Sequence, residues 1–194
     1  MMDQSAPRKT AVSPGRPRAF DEKAVLDAAL QVFWRQGYEA TSIDDLTAAM
    51  GLSRSSFYGA FGSKQAVLEA ALSGYSKTAL ARLKDIVQGN SEDPLAAALD
   101  ALADPNGGTK GCLLVNCITE LAPHHPEIAA LGRRHLAGIE QILAEAINPE
   151  DPGAARTRAR AFSALALGTV TLRKSGVAAE QITETLKEAQ TVLR

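Results

Sequence analysis

Two thiols sit five residues apart in TKGCLLVNCITEL, residues 109–121: Cys112 and Cys117, the only cysteines of the chain. Such a pair could close a disulfide, clamp a metal, attack a substrate, sense a reagent or simply pack. A helix over 110–122 turns ~100° per residue, so the two side chains point about 140° apart with an axial rise of roughly 7.5 Å. Their Cα atoms then stand about 8.6 Å apart, beyond the ~7 Å reach of a disulfide. The three histidines, His124, His125 and His135, bring no CxxC or HExxH spacing, so no metal and no cofactor is expected. His124 and His125, between Pro123 and Pro126, read as solvated loop residues. No Ser/His/Asp set, paired-carboxylate site or phosphate loop supports an enzyme. The rival that survives on the residues is a thiol-dependent one.

The same helical wheel sorts this segment into faces. Leu113, Leu114, Cys117, Ile118 and Leu121 share an apolar arc, which makes Cys117 a buried, inert thiol. Cys112, Asn116, Thr119 and Glu120 share the polar arc. Cys112 lies in the first turn, where unpaired N–H groups and the helix dipole favour a thiolate, and it follows Lys110. A solvated face accounts for that arc. So does an effector pocket lined by Cys112, Asn116 and Thr119.

These residues need a scaffold, and the sequence describes it as almost wholly helical. The chain has 194 residues, 45% hydrophobic, with a formal net charge of −1. That supports a packed core and gives no overall nucleic-acid signature. No run approaches the roughly 18 apolar residues of a membrane span, no secretory signal opens the chain, and the sparse cysteines suit a reducing, cytoplasmic setting. Residues 1–19 are rich in Pro, Arg, Ser and Gly and read as a flexible basic arm, with Arg8, Lys9, Arg16 and Arg18 against Asp3. A first helix runs from about Asp21 to Gln36, with Val25, Ala28, Ala29, Val32 and Phe33 on one face. Ser42-x-x-Asp45 resembles a capping box opening a second helix that ends at Gly51. A third starts at Ser53 and stops near Gly62, and Ser63 caps a long fourth. Helices follow between the loops at 89–90 and 104–108, then at about 110–122, 126–147, 153–174 and 179–193.

Two short helices joined by Met50-Gly51-Leu52-Ser53 have helix-turn-helix proportions. In that arrangement the second helix, SRSSFYGAF, enters the major groove. Arg54, Ser55 and Ser56 are placed to reach bases or phosphates, Phe57 and Phe61 pack inward, and Tyr58 points outward near Lys64. An ordinary three-helix core is the alternative reading of the same turn. Beyond these features, residues 20–72 resemble the N-terminal domain of the TetR/AcrR family of transcriptional regulators. The resemblance rests on Ala29, Phe33, Gly37-Tyr38, Thr41-Ser42, Leu46, Gly51-Leu52-Ser53, Phe57-Tyr58, Phe61 and Lys64. It implies phosphate contacts from Ser42, Tyr58 and Lys64, and base or backbone contacts from Arg54, Ser55 and Ser56, with Thr41 and Ser53 at the two helix starts. Thr47 stands where the family usually has Ala. Ala60 stands where it usually has His or another aromatic, so the contact of that ring is missing.

Ser13-Pro14-Gly15-Arg16-Pro17-Arg18 resembles the Gly-Arg-Pro core of minor-groove arms, in which Arg16 and Arg18 would enter a narrow groove. A solvated linker is the alternative. The family resemblance implies an all-α chain: a helix-turn-helix DNA-binding domain over residues 20–66, with the motif at about 42–61, and a larger effector-binding and dimerisation domain over 67–194. Phe162, Leu165, Ala166, Gly168 and Thr169 mix large and small side chains, and Ile182, Leu186, Ala189 and Leu193 form a near-heptad seam. Both patterns suit a four-helix homodimer interface, or packing within one chain. The Gly-Cys-Leu opening at residues 111–113 is similar to that of TetR-family members that sense electrophiles or oxidants. The resulting expectation is a dimeric repressor of double-stranded operator DNA, released by a small molecule or by thiol modification. A helical interaction module is a third reading, and it leaves the basic arm, Tyr58 and Lys64 unexplained.

Overall fold

The structure, a computed structural model, describes residues 20–90, 92–147 and 151–193, the last of these for its backbone only. All regular structure among them is helical: α1 (Glu22–Gln36), α2 (Ile43–Met50), α3 (Arg54–Phe61), α4 (Lys64–Gly89), α5 (Pro94–Ala103), α6 (Leu113–Leu121), α7 (Pro126–Ile147), α8 (Pro152–Lys174) and α9 (Ala179–Leu193), with a 3₁₀ turn at Gly108–Lys110. None of the described helices is long and apolar enough to cross a membrane. The basic arm with Arg16 and Arg18 lies outside the described residues.

The helix starts follow from the sequence chemistry. Asp21 accepts from the amides of Lys23 and Ala24 at 2.9 and 3.3 Å and so caps α1. Ser42 and Asp45 form a reciprocal capping box: the Ser42 Oγ accepts from the Asp45 amide at 3.0 Å, and Asp45 Oδ2 accepts from the Ser42 amide at 2.9 Å. The turn into α3 closes in Schellman fashion. The Gly51 amide donates to Ala48 O at 3.4 Å and the Leu52 amide to Thr47 O at 3.0 Å, with Gly51 left-handed at φ 64°. Only a residue without Cβ takes that φ at no cost, which is why this turn carries glycine. Ser53 then caps α3 and Ser63 caps α4.

Two apolar cores hold the molecule. One joins Phe33, Leu46, Met50 and Phe57 of the first three helices to Val67, Leu68 and Leu72 of α4, and continues into Leu114, Cys117 and Leu121 of α6 and Ile128 and Leu131 of α7. The other gathers Leu83, Leu95, Leu99, Ile139, Leu143, Phe162, Ala166, Ile182 and Leu186. Helix α4, of 26 residues and roughly 39 Å, contributes to both. Its N-terminal half sits under α1, and its C-terminal half lies against α5 and α7.

One expectation changes here. Phe162, Ala166, Thr169, Ile182 and Leu186 are buried by their own chain, Thr169 with its hydroxyl donating to Ala166 O at 2.6 Å. The near-heptad seam of α9 therefore faces inward, because α8 and α9 must cover Leu99 and Leu143 before they can meet a partner. Leu165 and Ala189 are half-buried beside the same core, and the Leu193 side chain lies outside the described residues. Beside exposed Arg156, Arg158, Arg160 and Lys174, α8 turns to solvent a row of small and apolar residues, Ala161, Ala164, Gly168 and Leu172.

Candidate nucleic-acid interface and effector cavity

The helix-turn-helix presents Ser42, Ser53, Arg54, Ser55, Ser56 and Tyr58 on one exposed surface, with the Tyr58 ring half exposed and Phe57 fully buried beneath it. These groups differ in how free they are. Ser55 has an exposed hydroxyl. Ser53 donates to Ser56 Oγ at 2.9 Å and accepts from its amide at 3.1 Å, so both are tied into the cap. Ser42 donates to Asp45 Oδ2 at 2.7 Å, and that bond is the first cause holding the Asp45 carboxyl below its ordinary range.

Arg54 does not reach out alone. Its Nε and Nη2 donate to the two oxygens of Asp44 at 2.8 and 2.6 Å, a bidentate pair between the starts of α2 and α3. The guanidinium in turn lowers the pKa of Asp44, first through the hydrogen bond and then through its charge. A ten-residue separation across a turn leaves no local pattern to reveal this partner. Both ends are exposed, so the pair restricts the Arg54 fork more than it stabilises the fold.

Thr41 and Lys64 are placed differently from the other residues in this group. Thr41 is buried and donates to Gly37 O at 2.6 Å. The Lys64 ammonium donates to Tyr38 O at 2.8 Å and to Thr41 O at 2.9 Å, and stands 4.2 Å from the centroid of the Tyr38 ring. Both residues therefore anchor the loop before α2, and the position of Ser42 depends on them.

The polar arc around Cys112 divides three ways. Helix α6 starts at Leu113, about three residues later than the sequence implies: Cys112 is its extended N-cap residue, preceded by the 3₁₀ turn. Cys112 lines an open cavity of about 910 Å³ between α4, α5, α7 and α8. Asn116 lies outside it, accepting from Lys174 Nζ at 2.9 Å and donating to Lys110 O at 3.2 Å. Thr119 is exposed and bonds back to Val115 O at 2.9 Å. Both cysteines are free, and Cys117 is buried, its thiol pushed up to about 12 by burial and then by Glu120. Among the described residues no group of His, Cys, Asp and Glu is arranged to hold a metal.

Three cavity groups carry no sequence signature. The Tyr75 hydroxyl stands 3.6 Å from Cys112 Sγ, and burial first, then the neighbouring thiol, hold it protonated well above the ordinary phenol range. His135, in contrast with the loop histidines, is buried on α7 with Nδ1 2.8 Å from Ser76 Oγ, and burial lowers its pKa. Arg173 of α8 is buried against the loop after α5. The cavity wall also reaches the DNA-binding helices. Trp34 of α1 packs edge-on against Tyr75 at 5.6 Å, and its Nε1 donates to Lys110 O at 3.3 Å.

Comparison with known proteins agrees with this geometry. Residues 25–71 match the family model described as bacterial regulatory proteins, tetR family. The chain is 32% identical over 135 residues to the HTH-type transcriptional regulator YezE of Bacillus subtilis, covering 66% of this chain and 69% of that protein. It is 35% identical over 130 residues to the HTH-type transcriptional repressor ComR of Escherichia coli, covering 63% of this chain and 62% of ComR. In structure it superposes on the TetR-family regulator CifR, solved as a cysteine mutant with 26-bp double-strand operator DNA. The TM-score is 0.74 at 24% identity, over 90% of this chain and 97% of CifR. With a helix-turn-helix of this build and relatives that regulate transcription, the chain belongs to the tetR family of bacterial DNA-binding transcriptional regulators.

Proposed function

We propose that the protein is a cytoplasmic homodimeric repressor that leaves its operator when a small or thiol-reactive effector occupies the cavity beside Cys112. Helix α3 enters the major groove. Arg54, held by Asp44, and Ser55 face base edges, while Ser42, Tyr58 and the adjacent helix starts meet phosphates. Arg16 and Arg18 of the basic arm add minor-groove or phosphate contacts. The dimer forms across the outward row of α8, Ala161, Ala164, Gly168 and Leu172, whose small side chains allow close helix approach.

The observation that carries the effector half is the unbroken series of contacts from Cys112 Sγ to Tyr75, to Trp34 of α1 and back to the 3₁₀ turn at Lys110. Any adduct or ligand that displaces Tyr75 shifts the seat of α1. An effector changes operator affinity only by its differential affinity for the two conformations, and a contact series with one end in each region gives a physical route for that coupling. The test is a gel shift on the DNA upstream of the coding sequence, repeated after N-ethylmaleimide with wild type and Cys112→Ser. Release in wild type alone supports the reading. Equal release in the mutant removes the thiol, and absence of any specific shift removes operator binding at this locus.

A further inference from the structure

The cavity contains a cation whose hydrogen bonding is incomplete. The Arg173 side chain is 7% exposed, and every bond it makes leaves through one nitrogen: Nη1 donates to Ala103 O at 3.1 Å and to Asp104 O, and stands 3.0 Å from Asp104 Oδ2. Its Nε is buried with no partner. A purely structural strut between α8 and the loop at 103–104 is complete with Nη1 alone, and gains nothing from an orphaned donor on the opposite edge. Buried N–H groups of native proteins are almost always satisfied, and the neighbouring Nη2, on a side chain that lines the cavity, likewise makes no hydrogen bond among the described residues.

The surroundings fit that acceptor. The loop closes tightly on the guanidinium: a Cβ at Gly107 would fall on the Asp104 carboxylate and on Arg173 Nη1 and displace them. The charged wall residues are Arg82, Lys110 and Arg173 against Asp100 and Asp104, an excess of one positive charge. The rest of the wall mixes apolar residues, among them Leu83, Ile139, Ala166 and Val170, with polar ones such as Thr78, His135 and Ser163, and has Trp34 and Tyr75 at one end. A volume of about 910 Å³ lies within the usual range for small organic ligands.

We infer that the cavity binds an amphipathic organic monoacid, its carboxylate seated on the Nη2 end of Arg173 and its apolar body against α4, α7 and α8. This deepens the effector reading and rests on it for the regulatory consequence, though not for binding itself. A carboxylate there takes a charge-assisted hydrogen bond from Nη2, while Asp104 keeps Nη1 and holds the guanidinium in place.

Trp34 is the only tryptophan of the chain and lines the cavity, so its fluorescence reads occupancy directly. The probes are benzoate, phenylacetate, 4-phenylbutanoate and octanoate, each paired with its primary amide. At least one acid should change the fluorescence saturably, and its amide should bind about tenfold or more weakly, the loss expected when a charge-assisted pair is replaced by a neutral one. Arg173→Lys, which keeps the charge but not the fork, should weaken the acid similarly and leave the amide unchanged. The acid–amide comparison in wild type needs no variant, so misfolding of Arg173→Lys cannot mask the result. Equal binding of acid and amide, or no saturable signal from any acid up to about 10 mM, overturns the inference. Operator release, followed in parallel, separates the two readings. Acid binding without release upholds the anion site and rejects its role as the effector site, whereas release by N-ethylmaleimide with no acid binding does the reverse.

Discussion

The link between Trp34 and the effector loop sets a measurable limit on how strongly the cavity can speak to α1. Trp34→Phe removes the hydrogen bond from Nε1 to Lys110 O, 3.3 Å long, and retains an aromatic ring against Tyr75. A neutral hydrogen bond contributes about 0.5–1.5 kcal/mol net, or about twofold to tenfold in an equilibrium constant. If effector occupancy breaks this bond, the ratio of operator Kd with and without effector should fall by that factor in Trp34→Phe. Trp34→Leu also removes the edge-on ring contact, worth about another 0.5–1.5 kcal/mol, and should erase most of the remaining response. The assay is fluorescence anisotropy of a labelled operator duplex, with and without N-ethylmaleimide, and circular dichroism confirming that each variant is folded. Affinity without effector should change little, because neither substitution touches the exposed face of α2 and α3. A release ratio unchanged in both variants would refute the coupling route, since the allosteric effect cannot travel through a contact whose loss has no consequence.

Other consequences follow from the same geometry. Arg54→Ala should weaken operator binding about tenfold or more and relax selectivity at one base pair; a uniform loss over all site variants with a shallower salt slope would identify a phosphate contact instead. Asp44→Asn should loosen the Arg54 fork and broaden site preference, as read by binding to a randomised duplex pool. Ser42→Ala should lower Tm by about 2–4 °C near neutral pH through loss of the cap. Because Asp45 has its pKa depressed below 3.8 in the fold, the part carried by its carboxylate is present above this value and is lost as pH falls through the lower folded pKa, so the gap between the two melting curves should narrow in acid. With Ellman's reagent at pH 8, native protein should show one reactive thiol, absent in Cys112→Ser. Cys117, pushed up to about 12, should react only after urea is added.

Local chemistry made much of the fold readable. Asp21, Ser42, Ser53 and Ser63 cap the four helices they precede, and Gly51 takes the left-handed turn, because caps and turns depend on residues a few positions apart. The burial of Cys117 and the outward Tyr58 follow from helical periodicity for the same reason. Periodicity was less informative for α8 and α9. It marks an apolar face but does not say whether that face meets the same chain or another, and Ile182 and Leu186 meet their own.

The sequence by itself determined the helices, the helix-turn-helix and the family pattern across residues 20–72, all of them matters of spacing along the chain. Only the tertiary structure decided which side chains share a cavity. Cys112 meets Tyr75 across 37 positions, Trp34 meets Lys110 across 76, and Arg173 meets Ala103 across 70. It also separated Cys112 from Asn116 and Thr119, which one helical wheel had grouped on a single arc: the first lines the cavity, the second holds Lys174, and the third faces solvent. A wheel gives direction around one axis. What stands in that direction is set by the packing of α4, α5, α7 and α8, and the burial that leaves Arg173 Nε without a partner exists only once those helices have come together.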